Sequence, residues 1–224
     1  MNHYMQGIQI KNPELIEVLE EATWFMKNKE LLNTHLHRNG GVFTDGEKFV
    51  SEEFKWKVIN EGRAHDGFPE CASGFNVKPD QIKYISFNED IANNYDNVNS
   101  QLMMFFGTRH NALFHIYPPG GFLSWHNNAN ASAYNLIFTY NPTGNGYFAY
   151  HDWEKNETVK VIDPKGWSCK YGYFGNYNEP REKLVYHCAY SPEWRMTISY
   201  IYDHRDSEVG KEFQKQVIEE ISAE

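Results

Sequence analysis

The chain has 224 residues and a net charge of −9, with 41% hydrophobic and 16% aromatic residues. That composition supplies one packed core, and fifteen Tyr with fifteen Phe favour sheet over helix. The acidic balance argues against a surface built to hold phosphate backbones, and no apolar run of about 18 residues exists to span a bilayer. The start, MNHYMQGIQIKNPE, has neither a basic cluster nor an apolar signal core. Residues 12–28 then read as a helix: Asn12 caps, Pro13 suits the first turn, and Leu15, Val18, Leu19, Ala22 and Met26 form one stripe. HRNGGVFTDGEK reads as a loop or hairpin, and residues 51–61, SEEFKWKVINE, as a second helix. Residues 62–80 look irregular, and IKYISF at 82–87 alternates as a strand. EDIANNYDNVNSQLMMFF places Ile91, Tyr95, Val98 and Leu102 on one helical face.

From residue 111 the texture changes. ALFHIYPP, AYNLIFTYN, GYFAYHD, TVKVID, SCKYGYFG, LVYHCAY and RMTISYIYD are short, β-branched or aromatic, and punctuated by Pro, Gly, Asn or Asp. Strands so closely spaced predict a sandwich or barrel. DSEVGKEFQKQVIEEISAE closes the chain as a helix with Val209, Phe213, Val217 and Ile221 in register. The expectation is a single domain over 1–224: helical or mixed support in 1–110, a β core in 111–204 and a C-terminal helix in 205–224. Cys71, Cys169 and Cys188 form no C-x-x-C pair, which speaks for a reducing compartment and a cytoplasmic protein.

Ten histidines occur, and most suit packing roles. His35-Leu36-His37 sits in a polar loop without Cys or carboxylate neighbours. His204-Arg205-Asp206 is a His-x-Asp with no histidine after it, and Asp206 reads as the cap of the last helix. His126 and His187 remain, far apart in the chain and each near a strand edge. A double-stranded β-helix brings such distant strands side by side. Pro118, Pro119, Gly120 and Gly121 stiffen the approach to His126. Arg195, Thr197 and Ser199 alternate along a later strand and so share one face.

WHNN, YHCAY and RMT, in that order, resemble the His-x-Asp, distal His and Arg-x-Ser/Thr of the iron(II)- and 2-oxoglutarate-dependent oxygenases. FHIYPPGGFLSWH, YNLIFTYNPTGNGYFAY and VIDPKGWSCKYGYFGN extend the resemblance over about residues 113–203. It implies a mainly β fold with flanking helices and a double-stranded β-helix core, also called a jelly roll and similar to cupins. It further implies Fe(II) held by His126, His187 and residue 128, and 2-oxoglutarate held by Arg195 with hydroxyls of Thr197, Ser199 and Tyr117. Dioxygen and a peptide side chain or small molecule would be the other partners; nucleic acid and membrane are not expected.

The sequence departs from the pattern at Asn128, where the resemblance calls for aspartate. A neutral amide oxygen is a poorer iron ligand than a carboxylate. Three accounts stand: Asn128 binds weakly or through water, as in the layout of the aspartyl/asparaginyl β-hydroxylases that lack this carboxylate; Asp152 substitutes; or the chain is a catalytically degenerate jelly-roll binding protein. Halogenation fits less well, because Asn128 fills the volume that a halide needs. A cupin-like isomerase wants more ligands than WHNNAN offers. Trp125 and Trp194 are candidates for packing or for the wall of a substrate pocket. Arg181 and Lys183 read as solvated.

Overall fold

A computed structural model describes residues 4–35, 37–39, 45–62, 69, 71–78, 89–108, 111–129, 134–176, 178–202 and 207–224. After a short strand, β1 (Gln6–Ile8), Asn12 caps α1 (Pro13–Ala22) by accepting the Leu15 N–H at 3.1 Å. The expected helix to residue 28 is interrupted. The Thr23 hydroxyl donates to the Glu20 carbonyl at 2.6 Å, and a separate turn, α2 (Trp24–Lys27), continues from there. Leu15, Leu19, Ala22 and Met26 are buried as their spacing predicts. β2 (His37–Asn39) and α3 (Gly46–Phe49) precede α4 (Glu52–Glu61). Ser51 caps α4 and Gly62 closes it in the left-handed region.

β3 (Ala72–Asn76) falls inside the stretch read as irregular. Its residues, ASGFN, carry little strand propensity. It is a strand because β4 (Asn111–Tyr117) and β5 (Gly121–His126) each offer it a ladder. α5 (Glu89–Phe106) buries Ile91, Tyr95, Val98 and Leu102. IKYISF lies outside the described residues.

The remaining strands are β6 (Tyr134–Asn141), β7 (Tyr147–Asp152), β8 (Glu157–Ile162), β9 (Gly166–Tyr173), β10 (His187–Ser191) and β11 (Arg195–Tyr202). The hydrogen-bonded order is β1-β9-β6-β11-β4-β3-β5-β10-β7-β8, with every pairing antiparallel. β9-β6-β11-β4 forms one layer and β5-β10-β7-β8 the other, with β3 as the seam. Apart from the β7–β8 hairpin, successive strands from β4 onward alternate between layers. This is a double-stranded β-helix, mainly antiparallel β with flanking helices.

α1, α5 and α6 (Glu208–Ser222) cover the outside of the first layer through Phe114, Phe138, Ile198 and their neighbours. α3 and α4 cover the outside of the second through Phe122, Trp125 and Cys188. The cap of α6 is Ser207, whose hydroxyl accepts the Gly210 N–H at 3.0 Å, rather than Asp206. Val209 is 73% exposed, so the inward stripe of α6 runs Gly210, Val217 and Ile221. Among the described residues no helix is long and apolar enough to cross a membrane.

Candidate active site

Between the layers a cavity is lined by several polar side chains, and three local devices put them there. The first is the turn after β4. The Gly121 N–H donates to the Pro118 carbonyl at 2.7 Å, and Gly120 takes φ +77°, which the third residue of this turn type requires. A Cβ on Gly121 would lie 2.8 Å from the Pro118 oxygen. The four residues reverse the chain and hand it from one layer to the other.

The second device is a β-bulge in β5. Ala189 of β10 faces Leu123, but His187 faces His126, so β5 has one residue more than β10 over this span. Strict alternation from inward Leu123 would aim Trp125 inward and His126 outward. The extra residue reverses that: Leu123 and His126 line the inner cavity, while Phe122 and Trp125 pack outside. The polar groups of Ser124 are satisfied within the bulge. Its N–H donates to the Cys71 carbonyl at 2.9 Å, and its carbonyl accepts from His126 Nδ1 at 2.7 Å.

The third device is register. His126 and His187 sit directly opposite on neighbouring strands, and their ring centroids are 4.2 Å apart. His187 Nδ1 lies 2.9 Å from the Val185 carbonyl. A carbonyl only accepts, so Nδ1 carries a proton in both rings, and Nε2 is the nitrogen of each that can meet a metal. Metal-binding imidazoles are commonly oriented in this way. Burial pushes the His187 pKa down to about 4, offset only in part by the Val185 carbonyl. The ring is therefore neutral at neutral pH, as a metal ligand must be.

Asn128 lines the same cavity, and its Oδ1 is buried with no hydrogen-bond partner. An orphaned oxygen lining one cavity with two imidazoles is what a divalent cation would satisfy. Among the described residues no three His, Cys, Asp or Glu side chains gather as a metal group. A cation here would therefore take its protein ligands as two imidazoles and one neutral amide. Asp152 makes no substitute acid: its Oδ1 accepts the N–H groups of Glu154 and Lys155 in the β7–β8 turn, away from the cavity.

Arg195, Thr197, Ser199 and Tyr117 also line the cavity, on β11 and β4 of the facing layer. The cavity is about 60 Å³, roughly four times the room that one water needs; its apolar wall includes Leu123, Ile137, Phe148 and Phe174, and Asn135 also lines it. The Arg195 side chain is buried. Its Nη1 donates to Thr197 Oγ1 at 2.7 Å, and the guanidinium lies over the Tyr117 ring at 4.7 Å. Its Nε donates to Asp163 Oδ2 at 2.7 Å, while Lys170 Nζ lies 3.4 Å from Asp163 Oδ1. Burial alone would raise the Asp163 carboxyl, but the Arg195 guanidinium and the Lys170 ammonium outweigh it and hold the pKa low. For Arg195 likewise, burial opposes the charge and Asp163 prevails, raising the pKa.

All seven residues expected at the site thus line one cavity. Trp125 and Trp194 do not; they pack in the outer clusters. Arg181 and Lys183 are exposed, with Arg181 over the Trp153 ring at 4.8 Å. The side chains of His35 and His37, and all of His204 and Asp206, lie outside the described residues. Asp163 and Lys170 escaped the sequence reading, because nothing in VIDPKG separates a turn aspartate from one reaching an arginine two strands away.

No protein-family model matches the chain, and no curated protein is similar to it in sequence. Among solved structures, it is similar to a Pseudomonas putida prolyl-4-hydroxylase at 12% identity and TM-score 0.32, over 76% of this chain and 93% of that one. It is also similar to the viral collagen prolyl hydroxylase of Paramecium Bursaria Chlorella virus-1, solved with 2OG, at 10% and 0.30 over 75% and 94%. A third is SnoN, a non-heme alpha-ketoglutarate-dependent epimerase of nogalamycin biosynthesis, at 10% and 0.32 over 83% and 81%. Likenesses this remote put no family name on the chain, and the functional reading rests on its own residues.

Proposed function

We propose that the chain is an Fe(II)- and 2-oxoglutarate-dependent dioxygenase that hydroxylates a peptide side chain or small molecule. The observation that carries this is a division of labour within one cavity: two oriented imidazoles on one layer, a buried guanidinium on the other. His126 and His187 hold the metal through Nε2, with the Asn128 amide oxygen as a neutral third ligand. Arg195 takes the distal carboxylate of 2-oxoglutarate, and Thr197, Ser199 and Tyr117 surround it with hydroxyls. Iron, when bound, supplies activation of dioxygen coupled to oxidation of 2-oxoglutarate to succinate and CO₂. Leu123, Ile137, Phe148 and Phe174 exclude bulk water from that chemistry.

The test is anaerobic addition of Fe(II) and 2-oxoglutarate. A visible charge-transfer band is expected, followed by succinate release when air is admitted with a peptide or metabolite panel. His187→Ala should lose the band and the bound metal. Absence of both the band and succinate in the unaltered protein would sink the enzyme reading and leave a jelly-roll binding protein.

A further inference from the structure

Behind Arg195 lies a buried polar group that the co-substrate reading does not use. Asp163 stands in the β8–β9 turn with a fully buried side chain. Its N–H donates to the Gly146 carbonyl at 2.9 Å, which fixes its backbone. A Cβ on Gly146 would lie 2.8 Å from Asp163 Oδ2, 2.7 Å from Asn141 Nδ2 and 3.0 Å from Ser191 Oγ. The carboxylate can approach the chain there because residue 146 has no side chain. Asn141 is itself fixed, its Oδ1 accepting from the Thr143 N–H and hydroxyl and from the Gly144 N–H.

We propose that Asp163 is the positioning residue for Arg195, gripping the Nε edge of the guanidinium so that Nη1 stays aimed along Thr197 at the cavity while Nη2 rests 3.5 Å from Thr139 Oγ1. This rests on the reading of Arg195 as the carboxylate anchor. Arg195 lines the cavity and Asp163 does not, so the acid holds the fork from outside the cavity. A planar fork already held on one edge loses little freedom when a carboxylate arrives on the other. Lys170 keeps the acid from cancelling the guanidinium's pull on a second anion: one carboxylate lies between two basic groups, at 2.7 Å and 3.4 Å.

Two substitutions reach this contact from different sides. Asp163→Asn removes the charge-assisted bond. Gly146→Ala leaves the carboxylate's charge in place and pushes it off its seat. With Mn(II) as a redox-inert stand-in for iron, each should weaken 2-oxoglutarate binding about tenfold or more by calorimetry, with Mn(II) affinity unchanged. The Arg195 Nε–H resonance reads positioning without any ligand. It should be protected from solvent exchange in the unaltered protein and lose protection in both variants. The proposal is overturned if either variant, folded by circular dichroism, binds 2-oxoglutarate as tightly as the unaltered protein or more tightly. It is equally overturned if that Nε–H exchanges like a surface arginine in the unaltered chain, a result that stands whether or not a variant folds. An unaltered protein that binds Mn(II) but no 2-oxoglutarate refutes the functional reading instead, and the resonance then decides alone whether Asp163 holds Arg195.

Discussion

Replacing Asn128 by aspartate tests the weakest point of the proposed metal site. The side chain keeps its shape, and the orphaned Oδ1 becomes part of a carboxylate. At an effective dielectric near 20, a carboxylate about 4 Å from a divalent cation gains roughly 8 kcal/mol of Coulomb energy. Desolvation returns several kcal/mol of it. A net gain of about 2–3 kcal/mol, or roughly 30- to 150-fold in metal affinity, is the expected remainder. Without metal the new charge sits in the cavity with no cation bound to it, so the apo variant should lose about 2 kcal/mol. For a chain of this size that is about 4–8 °C in melting temperature. Mn(II) titration against a competing chelator measures the first effect, and scanning fluorimetry with and without Mn(II) the second. If metal affinity and apo melting both stay where they were, Asn128 does not face the cation and the assignment of the third ligand is wrong.

Other perturbations reach the remaining parts. Arg195→Lys keeps a charge and removes the fork, so 2-oxoglutarate should bind about 10- to 100-fold more weakly by calorimetry; equal binding would remove Arg195 from the site. Deleting Ser124 takes the extra residue out of β5 and leaves Leu123, Trp125 and His126 in regular in-out-in alternation, so His126 should stay in the cavity opposite His187; Mn(II) binding should survive, and a folded deletion variant that loses its metal contradicts the bulge account. Acid unfolding tests the Asp163 pair. Its carboxyl is depressed in the folded chain, so the unfolded chain takes up that proton first as pH falls. The stability it contributes is fully present above about pH 4 and is lost as pH drops through the folded value. Urea titrations from about pH 5 to pH 3 should show an acid-dependent loss that Asp163→Asn lacks; identical pH slopes in the two proteins would mean the pair contributes nothing.

Much of the fold was legible in the chain because periodicity and punctuation are local. Asn12 before Pro13, Ser51 before a helical run and Ile91, Tyr95, Val98 and Leu102 at helical spacing each needed only near neighbours to read. The strands from β4 onward, β5 excepted, were visible for the same reason. So was the shared face of Arg195, Thr197 and Ser199, which follows from alternation alone.

What the sequence by itself determined, then, is where most of the strands lie and which side chains are candidates for the cavity. The tertiary structure decided where those side chains point. β3 is a strand because two layers flank it, not because ASGFN prefers to be one. His126 faces the cavity because β5 carries one residue more than β10, an excess that exists only once the two strands pair. Asp163 meets Arg195 because β6 and β9 line up beside β11, and Val209 turns to solvent because Gly210 occupies the inward position. The physical reason is common to all four: strand pairing, bulges and buried ion pairs are formed between segments far apart in the chain, and no local pattern of residues records the partner.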